Sequence, residues 1–131
     1  MTFYNRHIPI AALVVLASFQ SAGAQNAAAA AAAGETLFKQ RCQTCHSVVP
    51  GKQSPTGPNL LGVVGRTAGS TDFKYSSAMK ASGIVWNAAT LDQFISGPSK
   101  MVKGTRMAVS VPNADQRASI VGYLGTLTEA K

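Results

Sequence analysis

The segment Cys42-Gln43-Thr44-Cys45-His46 places stronger limits on the fold than any other part of the sequence. Residues three and four positions apart lie on one side of a helix, so two thiols at this separation can both form thioether bonds with neighbouring vinyl groups on one porphyrin edge. The adjoining imidazole of His46 can then point at the iron. C-x-x-C-H is a known attachment pattern for haem. The sequence therefore predicts one covalent haem.

Three other interpretations of the two cysteines remain open. A Cys42–Cys45 disulfide is possible in an oxidising compartment. A thioredoxin-type redox pair requires a sheet, but no stretch alternates as strands do. A closed zinc site needs four nitrogen or sulfur ligands as a rule, which two cysteines and one mature-chain histidine cannot supply. Haem is favoured because it also explains the long loop described below.

The first 24 residues have the features of a secretory signal peptide. Arg6 and His7 precede an apolar run over residues 8–19, and Ala-Gly-Ala at 22–24 offers a cleavage site. The run is shorter than the roughly 20 residues that cross a bilayer, so cleavage is favoured over anchoring. We predict a signal peptide over 1–24, an alanine-rich tail over 25–33 and a haem domain over 34–131, in a periplasmic protein without stable membrane insertion.

The predicted mature chain is basic. Removal of Arg6 lowers the formal net charge from +7 to +6, because all the acidic residues follow the leader. Positive charge indicates an acidic protein partner, an anionic membrane or nucleic acid. Nucleic acid is disfavoured as a partner by the predicted export and by the absence of consecutive Lys or Arg residues, so we predict none; charge that only maintains solubility is the alternative.

The remaining pattern predicts an all-α domain of three main helices with long connections. The first helix is expected over 34–45 and a short one over 76–82. Another begins at a Thr90–Gln93 capping box and ends at Gly97, and the last begins at Asn113. Residues 48–66 are dense in proline and glycine. Such a segment predicts a long ordered loop that surrounds another group, as a bound haem would be.

An iron that carries electrons without binding outside molecules needs a sixth ligand. The predicted mature chain has no second histidine, and methionine ligation raises the reduction potential. Met79 lies in the predicted short helix and Met101 just after a turn at Pro98, and packing is the usual role of methionine at both places. Met107 lies in an irregular loop after Gly104 and is the favoured ligand, although the pattern alone leaves the other two open.

These segments together resemble the class I c-type cytochromes, the cytochromes c of mitochondria and of the bacterial periplasm. The resemblance covers residues 34–127 and implies the cytochrome c fold, with three main helices and short ones around one covalent haem. It rests on motifs in the expected order and spacing. These are Gly34-x3-Phe38, Cys42-x-x-Cys45-His46, Gly57-Pro58-Asn59-Leu60-x-Gly62, Gly65-Arg66, Tyr75, Trp86, Pro98, Gly104-Thr105-Arg106-Met107 and Tyr123-Leu124.

The resemblance also implies roles for individual residues. His46 would be the proximal iron ligand and donate its other ring N–H to the carbonyl of Pro58. Met107 would be the distal ligand, held by the turn around Thr105. Gly34 and Gly122 would let the first and last helices cross closely, with Phe38 and Tyr123 nearby. Three side chains would satisfy the haem propionates: Arg66, Tyr75 and Trp86.

Four positions depart from the family pattern. Lys103 replaces a usual proline before the methionine turn, which would loosen the Met107 loop. Val109 replaces an aromatic residue, Phe94 a tyrosine near the sulfur, and Met79 a polar residue of the short middle helix. We expect the last two changes to alter the reduction potential.

The resemblance implies a monomeric one-electron carrier rather than an enzyme, and no acid/base pair lies near the motif. Its partners would be acidic patches of membrane redox complexes, namely a cytochrome bc complex, a terminal oxidase or a photosynthetic reaction centre. A periplasmic dehydrogenase is the alternative partner, and a ligand-binding or peroxidatic haem protein with a weakly held Met107 is a second alternative. The predicted docking ring consists of Lys39, Arg41, Lys100, Lys103 and Arg106.

Overall fold

The computed structural model describes residues 21–128, so most of the predicted signal peptide lies outside the described residues. Within 21–128 the chain forms helices and loops without a strand, and one isolated antiparallel bridge joins Thr67 and Val85. The predicted all-α class is confirmed. The helices are α1 (Ser21–Arg41), α2 (Ser77–Ala81), α3 (Ala88–Ser96), α4 (Pro98–Met101) and α5 (Ala114–Thr126).

Helix α1 begins and ends earlier than predicted. It is already helical at Ser21, the first described residue, because the alanine-rich segment before Gly34 has the highest intrinsic helix propensity and needs no buried face to be helical. It ends at Arg41, where the amide of Gln43 bonds to the carbonyl of Phe38 rather than continuing the helical register. The predicted bounds of 34–45 are therefore wrong at both ends, and the cysteine motif lies in the turn that follows the helix.

Helices α1 and α5 cross at Gly34. A Cβ built on this buried glycine would overlap the backbone carbonyl of Ser119 and lie 2.7 Å from the Cβ of Tyr123. One turn further along α1, the ring of Phe38 packs against that of Tyr123 with centroids 5.6 Å apart. The expectation for Gly122 is wrong: it is exposed, and a Cβ there would meet nothing within 4 Å.

The caps of α3 and α5 are set by asparagine. Asn87, not Thr90, caps α3: its Oδ1 accepts from the Thr90 amide at 2.9 Å, while Thr90 Oγ1 accepts from the Asn87 amide at 2.8 Å. The Thr90–Gln93 capping box was wrong because Thr90 is already the third helical residue. The predicted cap of α5 is confirmed, since Asn113 Oδ1 accepts from the Gln116 amide at 2.9 Å.

The core lies between α1, α3 and α5 and extends under the loops. Trp86 and Phe94 pack at its centre with ring centroids 5.1 Å apart. In the part of the chain that the structure describes, no helix is long and apolar enough to cross a membrane. The buried apolar residues are Phe38, Val63, Ala68, Met79, Trp86, Leu91, Phe94, Val102, Val111, Ile120, Val121 and Leu124.

Candidate functional site

The turn that follows α1 brings the two thiols and the imidazole together. The amides of Cys45 and His46 both donate to the carbonyl of Cys42, at 3.0 and 2.9 Å. Cys42 and Cys45 are half-buried and are not joined as a disulfide. Burial raises the pKa of the Cys42 thiol, and the neighbouring Arg41 only partly offsets it. Both sulfurs are thus available on one short segment.

The imidazole of His46 is oriented by the backbone of the following loop. Its Nδ1 lies 2.8 Å from the carbonyl oxygen of Pro58. A carbonyl can only accept, so Nδ1 carries a proton, and in the neutral ring Nε2 then has the lone pair. Burial lowers the pKa of His46 more than this hydrogen bond raises it. Burial therefore favours the neutral form of the ring, in which one nitrogen can bind a metal.

The side chain of Asn59 connects three positions of the loop over residues 49–61 by hydrogen bonds. Its side-chain amide donates to the carbonyls of Val49 and Lys52, at 2.7 and 2.8 Å, and its Oδ1 accepts from the Leu61 amide at 2.8 Å. These bonds fix the residue that follows Pro58. The sequence motif contained Asn59 but gave it no role, because its partners are backbone groups that no local pattern identifies.

Gly57 leaves room for the His46 ring. A Cβ at Gly57 would lie 2.6 Å from His46 Cε1 and 2.7 Å from the carbonyl oxygen of Cys45. Both distances are shorter than real Cβ contacts, so a side chain here displaces either the imidazole or the loop. This close approach is a reason for glycine at position 57 that the sequence pattern did not provide.

We expect Gly57→Ala to destabilise the folded protein by about 1–3 kcal/mol, the usual cost of overpacking. The added methyl group forces apart the loop and the His46 ring and lengthens the bond to Pro58. Guanidinium unfolding of the haem-loaded protein measures the effect. Gly125→Ala is the matched control, since a Cβ there meets nothing within 4 Å. Equal stability of both variants would contradict the close approach.

Met107 lies in the loop between α4 and α5 and is half-buried against the same core that Cys42 contacts. The turn at Thr105 forms as expected: its amide donates to the Val102 carbonyl at 3.1 Å, and its Oγ1 accepts from the Met107 amide at 3.3 Å. Gly104 has a φ of 93° and approaches Ala78 of α2 closely. The loop that carries Met107 therefore packs against α2 at Gly104.

The other two methionines also contact the core. Met79 is buried in α2, and Met101 is half-buried at the end of α4 against the core. Of the positions that depart from the family pattern, Phe94 is buried against Trp86. Lys103 and Val109 are both exposed, so the chain on either side of Met107 is open to solvent.

The three residues expected to satisfy the propionates have protein partners here. Arg66 donates from Nη2 to the Asn59 carbonyl at 2.8 Å and from Nη1 to the Leu61 carbonyl at 3.2 Å. The hydroxyl of Tyr75 bonds to Thr71 Oγ1 at 2.7 Å. Trp86 is buried, and its amide donates to the Arg66 carbonyl at 2.9 Å. Arg66 and Trp86 are thus held together, while their role toward propionates stays a prediction.

The zinc interpretation finds no support. Among residues 21–128, no group of three or more His, Cys, Asp or Glu side chains could hold a metal ion. The cysteine motif instead offers two thiols and one imidazole, the set that a covalent porphyrin requires.

A sequence profile described as Cytochrome c matches residues 31–128. The chain belongs to the cytochrome c family. It is 42% identical over 93 residues to cytochrome c 2.1 of Caenorhabditis briggsae, covering 70% of this chain and 82% of that protein. It is 44% identical over 95 residues to cytochrome c2 of Rhodomicrobium vannielii, covering 71% and 75%. The predicted resemblance is confirmed.

A solved structure of similar fold is cytochrome cH from Methylobacterium extorquens. It superimposes with a TM-score of 0.67 at 37% identity, covering 73% of this chain and 97% of that one. The predicted cytochrome c fold is confirmed. As in the rest of the family, the cofactor is a covalent haem c and the function is electron transfer.

The residues present fit this cofactor. Two free thiols stand three residues apart on one turn, and the neutral imidazole of His46 has its Nε2 free. The glycine at position 57 leaves space that a side chain would fill.

Proposed function

We propose that this cytochrome c carries single electrons between redox proteins of the periplasm. In this proposal the haem is bonded to Cys42 and Cys45, and its iron is coordinated by His46 and Met107. The observation that carries the proposal is the 2.8 Å contact between His46 Nδ1 and the Pro58 carbonyl. It orients the imidazole of the residue that adjoins Cys45, and a proximal ligand requires such an oriented ring.

The bound haem supplies an iron that takes up and releases one electron. The protein would keep the ligands of that iron constant: Pro58 orients the imidazole, and Thr105 Oγ1 accepts from the main-chain amide of Met107. Both ligand residues are half-buried, and Met107 packs against the core. Arg66, Tyr75 and Trp86 would offset the charge of the propionates, which is costly in an apolar interior.

A visible spectrum and an intact mass test this proposal. We expect the purified protein to be coloured, with the mass of one haem added to the chain. The oxidised form should have the far-red band of sulfur bound to ferric iron. A colourless protein of unmodified mass would disprove haem attachment, whereas a coloured protein without that band would disprove ligation by Met107.

The five cations of the docking ring are all exposed, which supports a role in partner binding. They lie at the end of α1, in α4 and in the Met107 loop, close in the sequence to the two proposed iron ligands. Lys39 also forms an ion pair with Glu35 at 2.6 Å, which raises its pKa. We propose acidic patches as the partner surfaces, on a cytochrome bc complex, a terminal oxidase, a photosynthetic reaction centre or a periplasmic dehydrogenase.

We expect electron transfer to an acidic partner oxidase to slow about tenfold between low and high salt, because screening removes electrostatic steering. The double variant Lys103→Gln, Arg106→Gln should be slower at low salt and less sensitive to salt. Lys52→Gln, an exposed cation outside the ring, is the control. Stopped-flow reduction measures the rates. A salt-independent wild-type rate would contradict steering by the ring.

A further inference from the structure

Arg117 lies in α5, and its side chain connects this helix to α3 and to the residues just before α5. Its Nε donates to Asp92 Oδ1 of α3 at 2.7 Å. Its Nη1 donates to the carbonyls of Val111 and Pro112, at 3.1 and 2.7 Å. Only 14% of the Arg117 side chain is exposed, against 44% for Asp92. We call the pair Asp92 and Arg117 the clamp. Together they hold residues 111–112, which precede α5, close to α3.

The clamp holds the far end of the Met107 loop, defined here as residues 102–113. Val111 is buried at 3% exposure, and its amide donates to the Ile95 carbonyl of α3 at 2.8 Å. Its carbonyl accepts from Arg117. Both backbone groups of Val111 are therefore bonded to α3 or α5, four residues after Met107. A segment of four residues spans about 14 Å at most, so this anchor limits how far the sulfur can move.

The near end of the loop begins at the buried Val102, but the hydrogen bonds of the residues between Val102 and Met107 stay within the loop. Lys103, exposed, stands where proline would fix the backbone φ. The Met107 amide bonds to Thr105 Oγ1 at 3.3 Å, which is long for a hydrogen bond of this type. Because few bonds hold the loop before Met107, its position depends more on the anchor at Val111. The position of Met107 should thus respond to loss of the clamp.

We propose that Asp92 and Arg117 are positioning residues that keep the sulfur of Met107 at the haem iron. This inference rests on the proposed function, in which Met107 is the distal ligand. Arginine suits the task because its planar fork can donate to a carboxylate and to carbonyls at once, which the single ammonium of lysine cannot do in the same geometry. Asp92 orients that fork and offsets its charge in a largely buried site.

The test is displacement of the sulfur by imidazole in the haem-loaded, oxidised protein. Asp92→Asn and Arg117→Lys should each bind added imidazole about tenfold more tightly than the wild type, because loss of a charged hydrogen bond makes the loop easier to open. Loss of the far-red band follows the titration. Glu35→Gln is the control: it breaks an exposed ion pair of α1, away from the loop, and should not change the imidazole affinity.

Hydrogen exchange provides a second measurement that does not depend on the iron ligand. In both clamp variants, the amides of residues 106–111 should exchange faster while those of α1 stay as slow as in the wild type. Unchanged imidazole affinity and unchanged exchange in both variants would overturn the proposal. Exchange that rises equally in α1 and the loop would also overturn it, because the clamp would then only stabilise the whole fold. A wild type without the far-red band would instead disprove ligation by Met107, while the exchange measurement would still decide the role of the clamp.

Discussion

Met107→Ala is expected to abolish the far-red band and to lower the reduction potential on the order of 0.2 V, within the ~0.8 V over which axial ligands set haem potentials. Removing the thioether takes away a soft ligand that favours the reduced iron. The variant should also bind carbon monoxide readily once reduced, because the iron then has an open position. Visible spectra and a redox titration measure these effects.

Met101→Ala is the matched control for this substitution. Met101 is half-buried and packs against the core from α4, so its loss should cost stability of about 2 kcal/mol through the cavity left behind. The far-red band and the potential should stay close to those of the wild type. Loss of the band in Met101→Ala, with retention in Met107→Ala, would assign the distal ligand to Met101 instead.

Gly34→Ala is expected to destabilise the protein by about 3 kcal/mol, at the upper end of the usual cost of overpacking. The new Cβ would overlap the Ser119 carbonyl, which is backbone and cannot rotate away. Helices α1 and α5 would have to separate, which also loosens the contact between Phe38 and Tyr123. The free energy of unfolding in guanidinium, followed by circular dichroism, measures this loss.

Gly122→Ala makes the same change on the partner helix and should change the free energy of unfolding in the opposite direction. Because its Cβ would meet nothing within 4 Å, the substitution adds only helix propensity, worth up to about 1 kcal/mol of stability. If both variants gained stability, α1 and α5 would not cross as closely at Gly34 as the structure has them.

Much of the fold and the centre of the site could be predicted because they depend on local chemistry. The cysteine spacing and the Asn113 cap act within a few residues, so the sequence itself contains the pattern. The bond from His46 to Pro58 joins residues twelve positions apart. It was expected only because the family resemblance supplied the fold.

Other features depend on partners that no local pattern identifies. The end of α1 at Arg41 has no glycine or proline to mark it. Gly34 and Gly122 look alike in the sequence, but only one faces the partner helix. The roles of Asn59 and Arg117 come from bonds to distant backbone carbonyls. Carbonyls are present at every position, so composition and periodicity say nothing about which ones a side chain reaches.

The use of the Pro58 carbonyl as the acceptor for His46 has a consequence for how mutations can affect the proximal side. Every amino acid has the same main-chain oxygen, so replacement of the residue at position 58 does not in itself delete the acceptor. The contact can be lost only when the path of the chain changes. Mutations that break this bond should therefore fall at the neighbours that determine the path of the chain, among them Gly57 and Asn59, rather than at the residue that supplies the oxygen.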